Sequence, residues 1–108
     1  DLDKAEEMSH RTIVAEPNNK TYIDTYAWIL FVKGRYSEAK MYMDRVLVGD
    51  VENDEDVSGG VLEHAGDIYA RCGDMEGALK YWKMAREKGE DVSQLLDRKI
   101  REKRYIEE

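Results

Sequence analysis

Two carboxylates, Glu63 and Asp67, have the types and the spacing that could support chemistry. Residues four apart in a helix lie on one face, so these side chains could share a proton or hold a metal ion. The chain offers no nucleophile or second ligand set to accompany them. We therefore expect both to be solvated surface acids, and a catalytic fragment that uses Glu63 and Asp67 is the least favoured function.

Residues 50–56 carry acids at alternate positions, a pattern that resembles a calcium-binding loop. An EF-hand loop requires glycine at its sixth position and glutamate at its twelfth. Those positions hold Glu55 and Val61 here. The sequence therefore predicts no EF-hand, and we expect no metal and no cofactor.

Cys72 is the single cysteine, which excludes an internal disulfide and a cysteine-based zinc site. Cys72 could in principle pair with His10 or His64 in nucleophilic catalysis. It falls, however, on the apolar stripe of a predicted helix, just before Gly73. We therefore expect Cys72 to be a buried packing residue.

The composition limits the classes of partner. The 108 residues include 17 basic and 24 acidic side chains, for a formal net charge of −7. This balance opposes binding to nucleic acid or to anionic membranes, and no apolar run approaches the roughly 20 residues of a membrane span. Basic side chains near the C-terminus alternate with acids, which predicts a solvated face. They are Lys99, Arg101, Lys103 and Arg104.

The elements that must position these residues are helices. Apolar residues recur at helical spacing in six segments. The segments are 2–15, 20–33, 36–48, 60–72, 75–88 and 92–105. Gly34 and Gly73 each follow an apolar stripe and predict a tight reversal, and Asp74 predicts an N-cap. The acidic, glycine-containing stretch 49–60 predicts an exposed, mobile loop.

Two segments repeat one another. Aligned without gaps, residues 26–39 and 65–78 place Ala27 opposite Gly66, and Gly34 opposite Gly73. In each unit a small residue, a turn glycine and a packing alanine recur in register, the alanines being Ala39 and Ala78. This pattern resembles the tetratricopeptide repeat, a helix–turn–helix unit of 34 residues. The departures are Val46, Val51 and Arg35 at signature positions, and a longer loop between the two units.

The resemblance implies an all-α fold, a right-handed α-α superhelix of about 2.5 repeats closed by a C-terminal capping helix. It implies one domain over 1–108. Residues 1–19 would be the second helix of a truncated repeat, 20–53 and 59–90 two repeats, and 91–108 the cap. Short strings such as YAWIL are similar to bacterial repeat proteins, cytoplasmic or exported to the cell envelope, and the sequence does not fix the compartment.

In this family the first helix of each repeat lines a concave groove that binds peptides. Position by position, the resemblance places Thr21, Asp24, Trp28 and Phe31 there in one repeat, and Glu63, Asp67 and Arg71 in the next. The lysine and asparagine that clamp a peptide carboxylate in one subclass are absent. An acidic groove with an aromatic side chain is expected to prefer a basic or apolar segment. The alternative is that these are ordinary solvated acids beside a half-buried Trp28.

The expected function is a non-catalytic protein–protein interaction scaffold. A second possibility is a structural C-terminal end of a longer repeat protein whose binding surface lies upstream. The first helix would lack its own partner helix, so the uncovered side of residues 1–16 is expected to self-associate or to pack against another chain.

Overall fold

The computed structural model describes residues 1–107, and all regular structure in that range is helical. The α-helices are α1 (Leu2–Ala15), α2 (Lys20–Val32), α3 (Tyr36–Val46), α4 (Gly59–Arg71), α5 (Met75–Lys88) and α6 (Leu96–Glu102), with a 3-10 turn at Val51–Asn53. The chain divides into two compact units, residues 1–49 with α1–α3 and the residues from 50 onward with α4–α6. The prediction of an all-α fold is confirmed.

The reversals predicted at Gly34 and Gly73 are confirmed, and the two have the same geometry. Both glycines are left-handed, with φ of +82° and +83°. Gly34 N–H donates to the Phe31 carbonyl and Arg35 N–H to the Leu30 carbonyl, each at 2.9 Å. The equivalent bonds at Gly73 run to Ala70 and Tyr69. This pair of hydrogen bonds is the Schellman motif, which satisfies the last carbonyls of a helix where the chain turns back.

The helix starts follow their capping residues. The Asp74 carboxylate accepts a bond from Gly77 N–H at 2.8 Å, as predicted, and the Ser58 hydroxyl accepts one from Val61 N–H at 3.2 Å. Arg35, at the start of α3, makes no side-chain cap. Its guanidinium pairs instead with Glu38 and with Glu6, which links the turn to α1.

In the first unit, α2 packs against both α1 and α3. Its core is formed by buried apolar side chains, which are Ile13, Ile23, Tyr26, Ala27, Leu30, Phe31, Ala39, Met43 and Val46. Tyr26 meets Tyr42 edge to face, with ring centroids 4.8 Å apart. Ala27 and Ala39, the predicted small positions, have no exposed surface, because the helices approach closely there.

In the second unit, α4 and α5 pack around Trp82, which is fully buried. A Cβ added to Gly66 would lie 2.2 Å from the Trp82 ring. The indole therefore rests directly on the α4 backbone, and the small residue predicted at position 66 is required by this contact.

Two predictions about segments need correction. The last helix is Leu96–Glu102 rather than 92–105. It begins later because the Ser93 N–H bonds to Glu63 of α4, and it ends earlier because Lys103 is left-handed. The loop 49–60 exposes most of its acids but buries Val51 and Val57, with 6% and 0% of their surfaces accessible. The Lys88 ammonium holds this loop by donating to the carbonyls of Asp54 and Val57.

Within residues 1–107, no helix is long and apolar enough to cross a membrane. The single-domain organisation and the superhelical arrangement of the repeats stay predictions.

Candidate functional site

The predicted groove residues on α2 differ in accessibility. Thr21 is exposed and Trp28 is half-buried, whereas Asp24 and Phe31 are buried. The rings of Trp28 and Phe31 stack, with centroids 4.6 Å apart and an interplanar angle of 17°. Phe31 therefore acts as a buried support for Trp28, and Thr21 and Trp28 are the members of this set that reach solvent.

The predicted residues on α4 lie at intervals of four along one face. Glu63 and Asp67 are 4% and 2% exposed, and Lys99, from α6, is 2% exposed between them. The Lys99 ammonium lies 2.7 Å from Glu63 Oε2 and 2.9 Å from Asp67 Oδ1. The expectation that Glu63 and Asp67 are solvated acids is therefore wrong, and so is the assignment of Lys99 to a solvated basic face.

Both carboxylates accept further hydrogen bonds. Trp82 Nε1 donates to Asp67 Oδ1 at 3.0 Å, and the Lys99 ammonium also donates to Asp67 Oδ2 at 3.2 Å. The Ser93 backbone N–H donates to Glu63 Oε1 at 2.7 Å, and its hydroxyl donates to Glu63 Oε2. Burial of charge is tolerated here because every oxygen has a donor.

Arg71, the third predicted residue on α4, is exposed and lies beside the C-terminal tail. Its guanidinium carbon is 4.8 Å from the centre of the Tyr105 ring. The Lys99 ammonium is 5.3 Å from the same ring. These are cation–π distances, so the Tyr105 ring contacts both cations at one end of the cluster.

The two carboxyl groups differ in their protonation behaviour. Burial raises the pKa of Asp67 to about 6, and this outweighs the attraction of Lys99. Burial acts in the same direction on Glu63, but hydrogen bonds from Lys99 and Ser93 outweigh it and lower the pKa of Glu63. One ammonium cannot fully compensate two buried carboxylates, so Asp67 is the group that takes up a proton first.

The sequence pattern indicates Glu63, Asp67 and Arg71, but not the residues that contact them. Ser93, Lys99 and Tyr105 come from the end of the chain, with Lys99 36 positions from Glu63. One signal was present, because Lys99 lies at helical spacing within the apolar stripe of Leu95, Leu96 and Ile100. A cation on the buried face of a helix indicates an acidic partner.

A separate pocket of about 670 Å³ lies in the second unit, where the acidic loop meets α5. Buried Leu62 and half-buried Met84 contribute apolar surface to it. The acidic side chains around it are Glu52, Asp54, Glu55, Glu87 and Glu90. This surface adds to the acidity of the second unit.

Cys72 is half-buried at the C-cap of α4, so it is less buried than the predicted packing residue. Among the residues the structure describes, no group of three or more His, Cys, Asp or Glu side chains could hold a metal ion.

Comparisons with known proteins leave the chain's family open. A scan against protein-family models finds no match, and a search of curated proteins finds no significant relative.

Proposed function

We propose that this protein is a non-catalytic interaction scaffold of the tetratricopeptide-repeat type, a right-handed superhelix of helix pairs that binds a basic or apolar segment of a protein partner. The proposal assigns recognition to the first helix of each pair, with Thr21 and Trp28 on α2 and with Glu63, Asp67 and Arg71 on α4.

The observation that carries the proposal is the burial of Lys99, from α6, against two carboxylates of α4. Glu63 and Asp67 surround the Lys99 ammonium at 2.7 and 2.9 Å and exclude water from it. A face that accommodates Lys99 has the charge and the geometry to bind a partner's lysine in its place. The half-buried Trp28 on α2 offers an aromatic surface to an apolar or cationic side chain.

Engagement of both carboxylates with Lys99 and Ser93 supports binding over catalysis. A general acid or nucleophile must reach its substrate within hydrogen-bond distance. The oxygens of Glu63 and Asp67 are instead directed at donors within the chain.

One observation favours the second candidate, a structural end of a longer repeat protein. Residues of the C-terminal segment cover the predicted face of α4, as a capping helix would cover the last unit of a repeat array. In that case the partner-binding surface would lie elsewhere in the parent protein.

A peptide-binding assay separates the two candidates. Three helical peptides of equal length and identical apolar pattern, with lysine, glutamine or glutamate at the polar positions, are titrated against the protein. We expect the lysine peptide to bind best and Trp28→Ala to weaken it. The matched control is Met41→Ala, at a 60% exposed position on α3. Equal binding by all three peptides, or a Trp28→Ala variant indistinguishable from Met41→Ala, would reject the proposal.

A further inference from the structure

All three α4 residues assigned to ligand recognition contact one part of the same chain. Glu63 binds Ser93 and Lys99, Asp67 binds Lys99, and Arg71 lies against Tyr105. The three contacting residues are six positions apart in sequence, and all belong to residues 91–107, which we call the C-terminal segment. The α4 face is therefore occupied by a hydroxyl, an ammonium and an aromatic ring.

The C-terminal segment contains only a short helix. Helix α6 has 7 residues, and its N-cap residue, Leu95, makes no side-chain cap. Isolated helices this short are unstable in water, so the segment's conformation depends on what it contacts. Leu96 and Lys99 are its buried residues, and the other side chains of α6 are half-buried or exposed. Attachment of the segment therefore depends strongly on the contacts of Lys99.

The contacts that hold the segment are also of a kind that another chain could supply. The carboxylates of Glu63 and Asp67 recognise an ammonium group, and nothing in that recognition requires the lysine to be covalently continuous with α5. The desolvation cost and the ion-pair contacts are similar for either lysine, so the exchange of one lysine for another is nearly balanced in contact energy. Orientation is supplied by the Ser93 N–H at one end and the Tyr105 ring at the other.

We propose that the C-terminal segment is a resident, displaceable ligand of the α4 face. A partner segment competes with it by inserting a lysine between Glu63 and Asp67. The inference rests on the proposed function and adds its regulation. The apparent affinity for the partner is reduced by the fraction of molecules in which the face is closed. Weakening the resident contact raises affinity without altering the α4 face.

The test uses the full-length protein and a labelled peptide with the sequence of residues 91–107. In Lys99→Glu, the resident segment is repelled from Glu63 and Asp67, while the face itself is unchanged. We expect this variant to bind the peptide at least about tenfold more tightly than the wild type. The matched control is Arg101→Glu, which makes the same charge change at an exposed position of α6 and should bind like the wild type. A peptide with glutamate at the position that corresponds to Lys99 should not bind.

The outcomes separate this inference from the proposed function. Stronger binding by Lys99→Glu than by Arg101→Glu supports both the displacement and the proposed function. Equal binding of the 91–107 peptide by both variants and the wild type overturns the displacement and keeps only the α2 part of the proposed binding site. Absence of binding by all three overturns the displacement as well as lysine recognition by α4.

A second measurement on the wild type covers the case in which Lys99→Glu loses its fold. A saturating concentration of the 91–107 peptide should accelerate hydrogen exchange in the protein's own Leu96–Glu102 amides, because displacement releases α6. Gly59–Arg71 amides should stay protected. Unchanged exchange in Leu96–Glu102 at saturation would show that the resident segment is not displaced.

Discussion

At the scale of single residues, the second unit contains two carboxylates and one ammonium in an almost water-free cluster. Such clusters are sensitive to the removal of any member, because a buried charge then loses its partner. The raised pKa of Asp67 and the lowered pKa of Glu63 show how the imbalance is shared. Lys99 interacts favourably with both carboxylates, and the unfavourable effect of burial prevails at Asp67.

The raised pKa of Asp67 predicts a dependence of stability on pH. The pKa is about 6 in the folded protein, against 3.8 for an unperturbed aspartate, so the folded state binds this proton more tightly. The free energy of unfolding should therefore rise by about 1 kcal/mol as the pH falls from 7.5 through 6 to 5. Below that range, protonation of Glu63 opposes further gain, since its pKa is lowered in the folded state.

Urea denaturation across this pH range tests the effect, with Asp67→Asn as the comparison. The asparagine keeps an oxygen for Trp82 Nε1 but cannot titrate. We expect the rise in stability to be absent or much smaller in Asp67→Asn. Parallel pH profiles for the two proteins would contradict the assignment of the raised pKa to Asp67.

The candidate site was only partly predictable at this scale. The spacing of Glu63 and Asp67 in the sequence identified them as a pair on one helical face, and the family resemblance added Arg71. Their burial could not be read from the sequence, because Ser93, Lys99 and Tyr105 reach them from about 30 positions away. Local patterns do not encode which distant segment will cover a helix.

At the scale of elements, the helix pair α4–α5 depends on the contact of Gly66 with Trp82. Alanine normally favours a helix over glycine by about 1 kcal/mol. Here we expect Gly66→Ala to destabilise the protein by about 1–3 kcal/mol, because the added methyl group overlaps the buried indole ring. Thermal or urea unfolding of the variant measures the change.

The matched experiment is a double-mutant cycle with Trp82→Leu. In that background the methyl group has space, so the cost of Gly66→Ala should fall by about 1 kcal/mol or more. An unchanged cost would mean that the Trp82 ring is not what requires glycine at position 66.

The elements themselves were largely predictable from the sequence. The periodicity of α1–α5 and the glycines at positions 34 and 73 set both the helices and their reversals, since local geometry and packing agree there. The last helix was predicted too long because Ser93 uses its backbone N–H and hydroxyl to bind Glu63. A tertiary contact there replaced a helical bond that the local sequence favoured.

At the scale of the whole molecule, apolar side chains remain exposed on α1. Met8 and Val14 are 66% and 67% exposed. We expect weak self-association or docking of another chain through this helix, since covering exposed apolar side chains is favourable. Sedimentation at increasing concentration should detect it. Met8→Gln should reduce it, whereas Met41→Gln, at a similarly exposed position on α3, should not. A concentration-independent monomer would contradict this expectation.

The formal charge of −7 also acts at this scale, because it attracts basic segments. Added salt screens this attraction. Affinity for the lysine peptide should therefore fall between low and physiological ionic strength. The overall charge was evident from the sequence, whereas the place where one positive side chain is buried was not.

The most direct test is a nitrogen–proton correlation spectrum of the wild-type protein titrated with the lysine peptide. The reporters are the indole signals of Trp28 and Trp82 and the amides around Thr21, Glu63, Asp67 and Arg71. The account predicts that the largest shifts occur at these groups, and that the matched glutamate peptide produces none. Shifts confined to other surfaces, or equal shifts with both peptides, would contradict recognition of a basic segment by α2 and α4.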